Sequence, residues 1–184
     1  MKKWMTALIF LTLVFCAFGC GAEPAPLQPS VEPPPAQNSK SEDSNFVMNL
    51  YSDYPVYKTT DSIKIWATLK YIGSGDSVRI WHGEPYVTFS ITDGKDFHVD
   101  PVVLTIQTST VLEKNMLQYF NYEKSGAWDA DDPNADFWEK FYEEKELFLP
   151  AGQYTITAKG AFSLSEDAQE DSGLTCTLTI TVEV

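Results

Sequence analysis

The chain ends in SGLTCTLTITVEV. Leu174, Cys176, Leu178, Ile180, Val182 and Val184 fall on one side of an extended backbone. Thr175, Thr177, Thr179, Thr181 and Glu183 fall on the other. Side chains alternate with a period of two along a strand, so this segment is a strand with one buried and one wet face. Cys176 then belongs to the core, where a thiol behaves as a small hydrophobe and not as a nucleophile.

The same period recurs upstream. Phe46, Met48 and Leu50 alternate with more polar neighbours, as do Ile63, Ile65, Ala67 and Leu69. Val78 and Ile80 follow a GSGDS turn, and Val87, Phe89 and Ile91 alternate with Thr88, Ser90 and Thr92. Asp93-Gly94 is a hairpin turn signal, since both residues tolerate positive φ. Val102, Leu104 and Ile106 mark a further strand, and Tyr154, Ile156 and Ala158 the next to last. Seven or eight short strands divided by turn signals predict an all-β antiparallel β-sandwich.

Before Phe46 the character is different. Lys2 and Lys3 precede an apolar run, Trp4 to Phe18, broken only by Thr6 and Thr12. As a helix that run spans about 22 Å at about 1.5 Å per residue, short of a hydrocarbon core of about 30 Å. Basic start, short apolar run and small residues predict a signal peptide over 1–19; an uncleaved anchor helix is the alternative. Residues 20–45 are rich in proline and polar residues and have almost no large apolar ones, so they cannot support a core. They read as a tether reaching about 25–30 Å as a coil or about 75 Å as extended polyproline II. A PxxP ligand is a second reading of this stretch.

Ala17-Phe18-Gly19-Cys20 resembles the lipobox of bacterial lipoproteins. The resemblance implies cleavage before Cys20, a diacylglyceryl thioether on its sulfur and acylation of its new amine. Ordinary cleavage, after Gly19 or Ala22, is the other possibility. Two or more acyl chains make stable attachment, so the expected location is the extracytoplasmic face of the cell membrane, with the membrane a partner through the lipid on Cys20. Cys16 leaves with the signal, and Cys20 once lipidated leaves Cys176 no internal partner for a disulfide.

Leu149-Pro150-Ala151-Gly152-Gln153-Tyr154, followed by TITAKGAF, resembles the L-P-x-G-x-Y start of a late strand in immunoglobulin-like domains, and is similar to a segment of the intracellular proteinase inhibitor domain of the BsuPI type. The resemblance implies an immunoglobulin-like sandwich over 46–184, with the Tyr154 ring inward and its hydroxyl capping a loop. It also raises a protease-inhibitor-like module as an alternative function.

Such a sandwich needs about 100 residues, and 46–184 supplies 139. The surplus is placed in an insertion at about 108–146. Within it Asp132 before Pro133 predicts an N-cap and first helical position, opening a short amphipathic helix over about 133–145. Phe137 and Phe141, like Trp138 and Tyr142, stand four apart, and packing against the sandwich is their expected role.

Charge and motifs narrow the function. The formal charge is −13, and −15 once residues 1–19 and their two lysines are lost. Nucleic acid needs Lys and Arg to neutralise phosphates, so it is not an expected partner. No zinc spacing of Cys and His appears, no GxSxG nucleophile motif and no glycine-rich phosphate loop. His82 and His98 are the only histidines and are expected to be ordinary surface or core residues. No cofactor is expected, and an envelope enzyme is the last of the alternatives. Asp129, Asp131, Asp132, Asn134 and Asp136 are the densest oxygen cluster. Helix capping and a solvated acidic face explain most of it, and no metal is expected. Asp129, Asp131, Asp132 and Asp136 are the candidates for calcium, although Pro133 and a missing glycine break the EF-hand spacing. Trp66 and Trp81 have the parity opposite to their apolar neighbours and so point outward. With Trp128 they are the candidate binding patch, either covered by the 108–146 segment or open to a protein or glycan partner. The expected function is non-catalytic binding at the cell envelope.

Overall fold

The computed structural model describes residues 37–167 and 171–184. The expected signal peptide over 1–19, Cys20 and most of the expected tether lie outside them. Ten strands and one helix follow in chain order: β1 Gln37–Glu42, β2 Phe46–Ser52, β3 Val56–Lys58, β4 Ile65–Tyr71, β5 Ser77–Thr92, β6 His98–Val99, β7 Leu104–Glu113, β8 Leu117–Asn121, α1 Ala135–Glu143, β9 Gly152–Ser163 and β10 Thr175–Glu183. One sheet has the order β1-β2-β4-β8; the other has β3-β10-β9-β5-β6, with β7 also paired to β5. Pairing is antiparallel except between β3 and β10, which run parallel. The fold is an all-β sandwich of antiparallel and mixed sheets with a short helical segment.

The two inner faces supply the core, as the period of two requires. Phe46, Met48, Leu50, Ile65, Ala67 and Leu69 come from one sheet, and Ile80, Val87, Phe89, Ile91, Tyr154, Ile156 and Ala158 from the other. Cys176, Leu178, Ile180 and Val182 of β10 join them, while Val184 at the end of the chain is fully exposed. Tyr154 is buried and its hydroxyl donates to the Pro150 carbonyl at 3.0 Å, closing the turn before β9. The Asp93-Gly94 turn forms, with Gly94 at φ 73° and Asp93 Oδ1 accepting from the Lys95 and Phe97 N–H groups.

Four expectations need correction. Gln37–Glu42, assigned to the tether, pair along the whole of β2 as an edge strand. The 108–146 segment is not one insertion: its first part is the end of β7 and all of β8, which cross from one sheet to the other. Leu104 and Ile106 are 61% and 77% exposed, since β7 lies beside β5 at the sheet margin and its first residues cover no core. The helix starts at Ala135 with Asn134 at the N-cap position, and Asp132 instead accepts the Asn134 N–H in the preceding turn at 2.6 Å.

β5 reads as two strands in sequence because its inward parity changes from even (Ile80) to odd (Val87). It is one strand with an irregularity after His82. Gly83 permits it: a Cβ there would stand 2.5 Å from the Leu104 carbonyl oxygen, a contact no side chain tolerates. The helix closes one end of the sandwich through rings, with Phe97 edge-on to Phe141 and Tyr154 at 5.8 and 5.3 Å.

Candidate functional site

Trp66, Trp81 and Trp128 stand in three different places. Trp66 lies between inward Ile65 and Ala67, so it projects from the outer face of the β1-β2-β4-β8 sheet. Trp81 follows fully buried Ile80 and projects from the outer face of the opposite sheet, where it borders a groove of about 570 Å³ with Leu104, Gln107 and Ser163. Trp128 precedes the helix and stacks on Tyr142 at 6.4 Å. The outward parity of Trp66 and Trp81 holds, but a single patch of all three is excluded, because the two strands belong to different sheets.

The aspartates do not converge either. Asp129 Oδ1 accepts the Asp131 N–H at 2.9 Å, as Asp132 does for Asn134, so these carboxylates close turns. Among the described residues no three His, Cys, Asp or Glu side chains are placed to share a metal ion. The calcium assignment to Asp129, Asp131, Asp132 and Asp136 is therefore not supported. His82 is buried and satisfied: its Nδ1 lies 2.6 Å from the Gly83 carbonyl, which can only accept, so Nδ1 carries the proton. Nε2 lies 2.8 Å from the Thr110 hydroxyl.

Of the three tryptophans, Trp66 has the most distinctive surroundings. Tyr51 on β2 is its register partner, and the two rings stack at 5.2 Å and 10°. Such a pair adds about 0.5–1.5 kcal/mol beyond area burial, and it fixes the indole upright on the sheet. On the other side of Trp66 a cleft of about 350 Å³ opens. Two main-chain hydrogen bonds build its walls. Ile63 N–H donates to the Leu147 carbonyl and Tyr122 N–H to the Ile65 carbonyl, both at 2.9 Å. They fasten the segments after the helix and after β8 to the two sides of the start of β4.

That arrangement brings Lys64, Lys124 and Lys145 to one cleft with Trp66 and Asn121, against a single lining carboxylate, Glu146. The concentration is unusual in a chain with 26 acidic and 13 basic residues. The three ion pairs among the described residues join Lys40 to Glu42, His98 to Asp100 and Lys159 to Asp171, and none involves a cleft lysine. Lys124 is held: its Nζ donates to the Phe141 carbonyl at 2.5 Å and sits 4.7 Å from the Phe141 ring centroid. Burial pulls its pKa below the usual lysine value, against the pull of Glu144. Among the described residues no hydrogen bond or ion pair holds the ammonium of Lys64 or Lys145.

Tyr122 also lines the cleft, and its hydroxyl is buried without a hydrogen-bond partner among the described residues. Burial pushes its pKa above the ordinary tyrosine range, with a further contribution from Tyr142. A second cavity, of about 460 Å³, shares Tyr122 and is lined mainly by apolar residues such as Val87, Phe89 and Phe120. The surfaces can therefore hold a ligand by stacking, amide hydrogen bonds and ammonium charge. Lys64, Lys145 and Asn121 escaped the sequence reading because no spacing joins them; only the two main-chain hydrogen bonds do.

No family model matches the chain, and no curated protein does. Among solved structures it is similar to the β-glucosidase EmGH1 of Erythrobacter marinus, with TM-score 0.38 and 14% identity over 80% of this chain and 16% of that one. It is also similar to a β-glucosidase from Listeria innocua solved with isofagomine, with TM-score 0.36 and 9% identity over 76% of this chain and 16% of that one. The activity in those names belongs to chains of which this one spans 16%.

Proposed function

We propose that this chain is an exported bacterial lipoprotein, held at the extracytoplasmic face of the cell membrane by a lipid on Cys20, whose immunoglobulin-like domain binds an envelope partner without catalysing a reaction. The observation that carries the binding half is the Trp66 cleft. Trp66 is half-buried, one face stacked on Tyr51 and its edge on the cleft, and the cleft gathers three lysines in an acidic chain. Here an aromatic ring and the ammonium groups of Lys64 and Lys145, which make no ion pair among the described residues, share a concave surface, the composition of a recognition site. The anchoring half is supported by the basic start, the short apolar run and Cys20 ahead of a proline-rich stretch. Among the described residues no helix is long and apolar enough to cross a membrane.

The two halves are tested separately. Labelled palmitate should enter the wild-type protein and not the Cys20→Ala variant; a mature protein with an unmodified thiol at Cys20 overturns the anchor. Detergent-solubilised full-length protein should capture an envelope component, with capture lost in Trp66→Ala and kept in Trp81→Ala. Undiminished capture by Trp66→Ala overturns the site.

A further inference from the structure

We infer that the ligand of the Trp66 cleft is an acidic saccharide, its ring stacked on the indole and its carboxylate held by Lys64 and Lys145. This rests on the binding reading above and names the chemistry of the partner. A pyranose presents a face of C–H groups, which suits the electron-rich face of an aromatic ring. Tyr51 braces Trp66 from behind, so the indole is set before a ligand arrives and little ordering cost remains. Asn121 is the cross-strand neighbour of Trp66 on β8, and its amide both donates to and accepts from hydroxyl groups. A volume of about 350 Å³ lies at the low end of small-ligand sites, which fits a short stretch of sugar and not a folded partner.

Charge selects the acidic form. The protein as a whole repels anions at −13, yet the cleft sets three lysines against Glu146. Lysine is a point charge on a flexible stem and tolerates a carboxylate presented at varied angles along a polymer. A neutral sugar would leave those ammonium groups unused. A long polyanion such as nucleic acid would meet the acidic remainder of the surface. The attraction is short-ranged and exposed, so it weakens as salt shortens the Debye length.

The test is a calorimetric titration of the detergent-solubilised full-length protein with a glucuronic-acid-containing oligosaccharide and with its carboxyl-reduced, neutral counterpart. The acidic form should bind and the reduced form should bind about tenfold more weakly or worse, the loss of one charge-assisted contact. Lys64→Gln with Lys145→Gln should weaken the acidic form to a similar degree and flatten its salt dependence. Trp66→Ala should abolish binding and Trp66→Phe should restore part of it, so loss of binding is separated from loss of fold. Equal binding of the two saccharides, or unchanged binding by the lysine variant, overturns the acidic assignment while leaving Trp66 as the site. Binding that survives Trp66→Ala overturns the site itself. No binding of either saccharide, with envelope capture still dependent on Trp66, overturns the saccharide and leaves the binding domain.

Discussion

The Cys176 thiol lies 3.3 Å from the carbonyl oxygen of Met48, a hydrogen bond that crosses the core from one sheet to the other. Cys176 is 1% exposed, and burial is the main cause of a thiol pKa above its usual value. Both facts keep the nucleophilic thiolate out of reach. A thiol reagent should therefore modify Cys176 in the native protein no faster than the protein unfolds, and quickly in denaturant. Peptide mapping of the labelled site checks this, and rapid native labelling at Cys176 would contradict the position of β10.

Tyr154 and Pro150 set the turn into β9. Tyr154→Phe keeps the buried ring and removes only the hydroxyl, leaving the Pro150 carbonyl without its donor. The expected cost is about 1 kcal/mol, read as a lower urea midpoint at unchanged slope. An unchanged midpoint would mean that the bond contributes nothing.

Alkali should unfold the domain. Burial raises the pKa of Tyr57, Tyr86, Tyr122, Tyr142 and Tyr154 above 10.0. The fold therefore favours the neutral phenol. Its contribution is fully present below pH 10 and is lost as pH rises through the folded values. Circular dichroism should be flat from neutrality to about pH 10 and then fall together with the appearance of buried tyrosinate absorbance. Tyrosinate formation well ahead of unfolding would show these rings to be accessible.

The sequence exposes the sandwich wherever an apolar face exists to be seen. β2 and β10 alternate strictly and β4 and β9 nearly so, and each contributes to the observed core. β1 is invisible in those terms because QNSKSE has no apolar residue; it joins the sheet through its backbone, with Ser41 Oγ also accepting the Thr175 N–H at 3.4 Å. β7 misleads for the opposite reason, since its apolar residues Leu104 and Ile106 face water. The site was half legible. Parity turned Trp66 and Trp81 outward, but the sheet to which each belongs follows from pairing, and pairing is not written in one strand. Lys64 and Lys145 line one cleft because the Ile63–Leu147 hydrogen bond joins their segments, which no local pattern announces.

Recognition at the Trp66 cleft is tested most directly by nuclear magnetic resonance of the full-length protein in detergent during titration with an envelope polysaccharide fraction. The Trp66 indole N–H and the amides of Asn121, Lys124 and Lys145 should shift together and saturably, with Trp81 unmoved. Shifts confined to Trp81 and β7, with Trp66 still, would contradict it.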